Sequence, residues 1–177
     1  MQSKLHIIIL LLTILFPLSV FSAGDKVDLI EQKWPFNGIF GRFDNTALQR
    51  GFKVYREVCA ACHGIRHVSY RDLKDIGFSS DEIKSIAGEY EITDGPNDEG
   101  EMFQREALPS DKFVGPYEKD NVARVANNGA YPPDLSLIVK ARAGGADYLY
   151  SLLNGYKEYP GDYEASEGMY YLSLIHI

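Results

Sequence analysis

Val58-Cys59-Ala60-Ala61-Cys62-His63 carries both cysteines of this 177-residue chain. C-x-x-C-H is the attachment sequence of c-type haem. Two cysteines three residues apart on a helix share a face, so each can form a thioether to one haem vinyl group. The following imidazole then projects toward the iron. Cys59 and Cys62 are therefore expected to hold one covalent haem c, with His63 as the metal ligand. A structural zinc site would need four protein ligands, and only His67 and two poorly placed histidines could join these residues. A thioredoxin-like C-x-x-C would need a βαβ pattern around it, and none is visible.

The flanking sequence supplies a helix that leads into this site. Asp44-Asn45-Thr46 offers N-cap chemistry. Leu48, Phe52, Tyr55 and Cys59 then recur at helical spacing, forming an apolar stripe. Gly51 lies on the adjoining face, where glycine costs roughly 1 kcal/mol against alanine. That cost makes sense if another helix crosses there, and a helix over 148–153 is the expected partner. Upstream, residues 24–46 read as a loop-rich lead-in with a turn at Trp34-Pro35-Phe36-Asn37-Gly38.

Downstream, short helices are expected over 72–76, 81–87 and 120–128, the last closed by Gly129. Tyr131-Pro132-Pro133 reads as a rigid turn, with Asp134 capping a helix over 135–142. Gly144-Gly145 breaks it, Asp147 opens the last helix, and Asn154-Gly155 closes it. Residues 93–101 are too polar and too rich in Gly and Pro to form an element. β-periodicity is absent over any useful length. The expected class is all-α, a cytochrome c-like domain with long irregular insertions.

Lys4 precedes the apolar run Ile7 to Val20, and Ser22 and Ala23 follow as small residues. This is the pattern of a secretory signal peptide over 1–23. Lys4 is the only Lys, Arg, Asp or Glu in that segment, so removing its +1 from the formal −7 leaves −8. An acidic chain of this kind excludes a nucleic-acid binder. It suits attraction of a basic partner, with Asp94, Asp98, Glu99 and Glu101 as candidate steering charges.

Beyond C-x-x-C-H, several stretches resemble the cytochrome c1 family. They are Trp34-Pro35-Phe36, Leu48 through Phe52, Val54 through His63, and Tyr90 through Phe103. The most specific are Ala130-Tyr131-Pro132-Pro133-Asp134-Leu135-Ser136 and Lys140-Ala141-Arg142 through Tyr156. The resemblance covers about Trp34 to Tyr171 and implies a haem domain over 24–171. It implies that Pro133 packs near the haem edge, that Arg142 meets a haem propionate, and that Tyr148 lines the cleft. A guanidinium fork suits a carboxylate.

The function implied is one-electron transfer. The electron arrives from the Rieske iron–sulfur subunit, beside cytochrome b in the bc1 complex, and leaves to cytochrome c. Bond-making catalysis is not expected of such a subunit. The implied location is exported: the periplasmic face of a bacterial inner membrane, or the equivalent organellar face. The rival readings are a freestanding soluble monohaem cytochrome c and a peroxidase-like open-site haem protein. The long insertion between Arg71 and Pro116 argues against the first, and the single C-x-x-C-H against a di-haem form of the second.

The end of the chain departs from the family pattern. Family members continue to a distal methionine ligand and a C-terminal membrane anchor. Here Leu172-Ser173-Leu174-Ile175-His176-Ile177 reads as the translation of the transposon-end adapter CTGTCTCTTATACACATC. The expectation is a truncated chain with an adapter-derived tail over 172–177, lacking the anchor and the distal ligand. Met102, Met169 and His67 are poor replacements by position.

Overall fold

A computed structural model describes residues 28–159, 161 and 170–172. The expected signal segment, Met169 and residues 173–177 lie outside the described residues. Leu29–Asn154 form one compact unit, and the described residues from Gly155 onward belong to a second.

The first helix, α1 (Asn45–Glu57), starts where the sequence predicts. Asp44 stays extended, and its carboxylate accepts from the backbone N–H groups of Thr46 and Ala47. These are two of the donors that a helix start leaves without an internal partner. The helix stops at Val58, whose φ of −123° is no longer helical. Cys59–Ala61 follow as one 3-10 turn. The haem-attachment sequence thus occupies a separate turn just beyond α1, not the helix itself.

A second 3-10 helix spans Tyr70–Ile76 and is closed by Gly77 at φ +96°. Helix α2 (Ser80–Gly88) opens with a reciprocal box between Ser79 and Glu82. Helix α3 covers Asp120–Ala126, α4 Ile138–Ala141 and α5 Gly145–Leu153. Helix α4 is much shorter than the expected 135–142. Asp134 does not cap it: its carboxylate accepts from Ser136 N, but the helix begins only at Ile138, after Leu137. Helix α5 begins two residues before Asp147.

The all-α expectation is corrected in one respect. The chain is mostly helical but carries two short antiparallel ladders. β1 (Glu91–Asp94) pairs with β2 (Phe103–Glu106), and β3 (Tyr156–Lys157) pairs with β4 (Tyr171–Leu172). In the first ladder Glu91 faces Glu106 and Asp94 faces Phe103. Arg105 closes it. The guanidinium contacts Asp94, and Nη1 donates to Asp111 Oδ2 at 2.7 Å. Four-residue strands held by a non-local arginine leave no alternation to read in sequence.

The hydrophobic core lies in the insertion rather than around the haem motif. Tyr70, Leu73, Ile83, Ile86, Ala87, Ala107 and Phe113 are buried together, with Phe52 of α1 packed against them. Phe52 meets Phe78 and Phe113 edge-on, at 5.6 and 5.8 Å between ring centres. The expected crossing at Gly51 is not formed. A Cβ at Gly51 would meet nothing within 4 Å. Helix α5 instead receives the lead-in segment. Ser151 Oγ accepts from Ile30 N at 2.7 Å, and Asp147 Oδ1 accepts from Trp34 Nε1 at 2.7 Å. Gly144 is required by its φ of +87°, a conformation L side chains rarely adopt, and a Cβ there would also displace the end of the Leu29 side chain.

Candidate functional site

The turn after α1 brings the cysteines and the histidine into a hydrogen-bonded loop. Cys62 N and His63 N both donate to Cys59 O, at 3.1 and 2.8 Å. Both thiols are free of any disulfide, Cys59 half-buried and Cys62 exposed. Tyr55, one turn earlier on α1, donates its hydroxyl to His63 O at 3.2 Å. Burial is the main cause that pushes the Tyr55 phenol up to about 12, so it remains a donor at neutral pH.

The imidazole is oriented from a distant part of the chain. His63 Nδ1 lies 2.8 Å from the carbonyl oxygen of Pro133. A carbonyl can only accept, so the contact places the proton on Nδ1. Nε2 is then the lone-pair nitrogen, the form in which histidine binds a metal. The sequence suggested Pro133 only as a packing residue. Its backbone oxygen, invisible to any reading of side-chain types, makes the contact.

The segment 133–136 is stitched to the segment 63–67 beyond that one bond. Leu135 N donates to Gly64 O at 2.8 Å. Arg66 N donates to Asp134 Oδ2, and Ser136 N to Asp134 Oδ1, both at 2.9 Å. His67 N donates to Ser136 Oγ at 3.1 Å. Burial works against the charged form of Asp134, but the Ser136 hydroxyl and the Arg66 and Ser136 N–H groups outweigh it. Its carboxyl therefore sits below the usual range. A cleft lies alongside, lined by Cys62, Gly64, Gly115, Pro116, Tyr131 and Pro132 among others.

Arg142 and Tyr148 form a second pair, with the guanidinium carbon 6.0 Å from the ring centre. That is the outer range of a cation–π contact. Tyr148 is half-buried and Arg142 exposed. The six expected residues thus fall into two sets: Cys59, Cys62 and His63 with Pro133, and Arg142 with Tyr148. Asp134, Ser136 and Tyr55 belong to the first set as positioning groups. Sequence reading assigned two of them to a helix cap and its flank, and one to an apolar stripe.

The donor set fits a covalent haem. Two free thiols share one turn with an imidazole whose Nδ1 is already bonded. Among the described residues, no group of three or more His, Cys, Asp or Glu side chains is placed to hold a metal ion, which leaves the zinc reading without support. His67 is exposed and backs onto Ser136 through its own N–H. Met102 is exposed beside the β1–β2 hairpin.

Comparison with known proteins agrees with this chemistry. The model of the Cytochrome C1 family matches residues 34–176. The mitochondrial "Cytochrome c1 1, heme protein" of Arabidopsis thaliana is 48% identical over 141 residues, which are 80% of this chain and 46% of that protein. "Cytochrome c1" of Rhodospirillum rubrum is 52% identical over 137 residues, 77% of this chain and 50% of its own. The "Cytochrome b-c1 complex catalytic subunit, mitochondrial" of Candida albicans is 52% identical over 127 residues, 72% of this chain and 44% of its own. The chain spans about half the length of these relatives.

Proposed function

This chain belongs to the cytochrome c1 family, and from that premise we propose that it is a one-electron carrier of a respiratory bc1 complex. When bound, haem supplies the chemistry, an iron that cycles between ferric and ferrous states. Cys59 and Cys62 form the two thioethers. His63 offers Nε2 to the iron, and the Pro133 carbonyl keeps its ring in that orientation. Arg142, with Tyr148 beside it, would meet a haem propionate. The Candida relative is named as a subunit of a cytochrome b-c1 complex. By analogy the electron comes from a Rieske iron–sulfur protein held beside cytochrome b and passes to cytochrome c. The haem-bearing part then faces the periplasm or the equivalent organellar space, which the apolar run before Ala23 supports as an export signal.

The observation that carries this reading is the His63–Pro133 contact next to two free thiols. The test is haem retention. Made with a c-type maturation system, the chain should keep one haem through denaturation and acid–organic extraction. Cys59→Ala with Cys62→Ala should release it entirely. Covalent haem in the double variant would overturn the assignment.

A further inference from the structure

The lead-in carries an exposed feature that the haem chemistry does not use. Ile39 and Phe40 are 95% and 94% exposed, side by side in one loop, and Phe43 beside them is also exposed. The loop is held in shape. Asn37 N donates to Trp34 O at 3.1 Å, Gly41 N to Gly38 O at 3.1 Å, and Arg42 N to Pro35 O at 3.0 Å. Phe36 stacks between Trp34 and Phe43, with ring centres 5.4 and 4.9 Å away. Gly41 cannot be enlarged, because a Cβ would fall 2.2 Å from Phe36 O. The indole is pinned to Asp147. A braced turn therefore holds two large apolar side chains out in water, against the ordinary preference for burial.

The tip itself carries basic residues and no acidic one, between Glu31 and Asp44. These are Lys33 and Arg42, both exposed, whereas the chain as a whole carries −7. Asp44, just beyond, is tied to the start of α1. The tip is a braced turn with two projecting apolar side chains and an exposed cation on either side in sequence. It suits insertion into the boundary between lipid headgroups and acyl chains, where apolar side chains enter and flanking cations meet anionic phosphates. We propose that the Ile39-Phe40 loop is a membrane-contact element that dips into an anionic lipid surface, with Lys33 and Arg42 as its headgroup contacts.

The test uses the full haem-loaded chain and vesicles of phosphatidylcholine with or without phosphatidylglycerol. The reading is taken at the loop itself, so that vesicle binding through any other apolar segment does not enter it. In the holoprotein the two native cysteines are occupied, so Phe40→Cys provides a single thiol for a nitroxide. On anionic vesicles that label should become accessible to oxygen and shielded from a water-soluble nickel complex. Ile39→Ser with Phe40→Ser should weaken partition into anionic vesicles by about tenfold or more, since each 1.4 kcal/mol of lost apolar transfer is a factor of ten. Lys33→Gln with Arg42→Gln should weaken binding to anionic vesicles while leaving binding to neutral ones unchanged. All four positions are exposed, so the variants should keep the haem spectrum and melting temperature. A label that stays water-accessible on vesicles, or equal partition by the double serine variant, would overturn the proposal. So would a label already shielded without lipid, which would assign the loop to contact with a protein surface.

Discussion

Asp134 shows how much of this site depends on backbone donors. One carboxylate oxygen serves Arg66 N and the other Ser136 N. Alanine removes both acceptors and should cost about 1–3 kcal/mol, because the two N–H groups lose their partners. Asparagine keeps one oxygen but turns an amide toward the other N–H, so it should retain only part of the stability. Thermal or denaturant unfolding of the haem-loaded chain would rank wild type above Asp134→Asn above Asp134→Ala. Gly51 gives the opposite case. Its place in a helix suggested a crossing, and the structure finds open space there. Gly51→Ala should therefore stabilise this chain by up to about 1 kcal/mol, through helix propensity alone. A loss of 2 kcal/mol or more would restore the crossing. The cysteines and His63 were legible in sequence because haem attachment demands those residue types at that spacing. The Pro133 carbonyl was not, since every residue has one and only the fold selects it.

At the scale of elements, helix starts were legible where a side chain makes the cap. Asp44, within the expected capping segment, marks α1; α2 starts at Ser80, one residue before the expected 81, with Ser79 as its cap. The boundary shifted at α4, which starts at Ile138 without a side-chain cap: Asp134 still accepts from Ser136 N, but Leu135 N is spent on Gly64 O and Arg66 N shares the carboxylate. The β1–β2 hairpin is not visible in sequence, where residues 93–101 look like loop and 103–106 show no strand pattern, because its strands hold four residues each and its fastening is the Arg105 bridge. That bridge predicts a pH response. The Arg105 side chain, aided by the Leu108 N–H, holds Asp111 below the usual carboxylate range. Arg105 and the Gly95 N–H do the same for Asp94. Groups whose acidity is enhanced by folding contribute stability above their unfolded values near pH 4, and that stability is lost as pH falls through the lower folded values. Protection of the amides across Glu91–Glu106, taken relative to their intrinsic exchange at each pH, should be high at neutral pH and fall below about pH 4. Asp94→Asn with Asp111→Asn should weaken the hairpin at pH 7 and flatten that acid step. The same bridge revises the acidic steering idea: Asp94 shares Arg105 with Asp111, whereas Asp98, Glu99 and Glu101 form no ion pair among the described residues.

For the molecule as a whole, the arrangement separates the packed core from the residues that would hold the haem. The core around Tyr70 and Phe113 is built from residues 52 to 113 and borrows nothing from the cysteine turn. The segment 133–148, which bears Pro133, Arg142 and Tyr148, contains no buried residue of that core. It is tied to residues 63–67 chiefly by hydrogen bonds. Hydrogen bonds of that kind contribute only about 1 kcal/mol each in net terms, whereas burying a large apolar side chain contributes about 1.5–3. The core should therefore outlast the site. In the Cys59→Ala, Cys62→Ala chain, native-state amide exchange should leave Leu73, Ile83, Ile86 and Phe113 protected while Leu135, Ser136 and the first turn of α5 exchange much faster than in the haem-loaded chain. Ile83→Ala should do the reverse. It costs about 2–5 kcal/mol of global stability as a core truncation and lowers protection everywhere alike. Equal loss of protection in both regions on removing the two cysteines would mean that haem attachment and core formation are one cooperative event, and that the separation seen in the packing has no energetic counterpart.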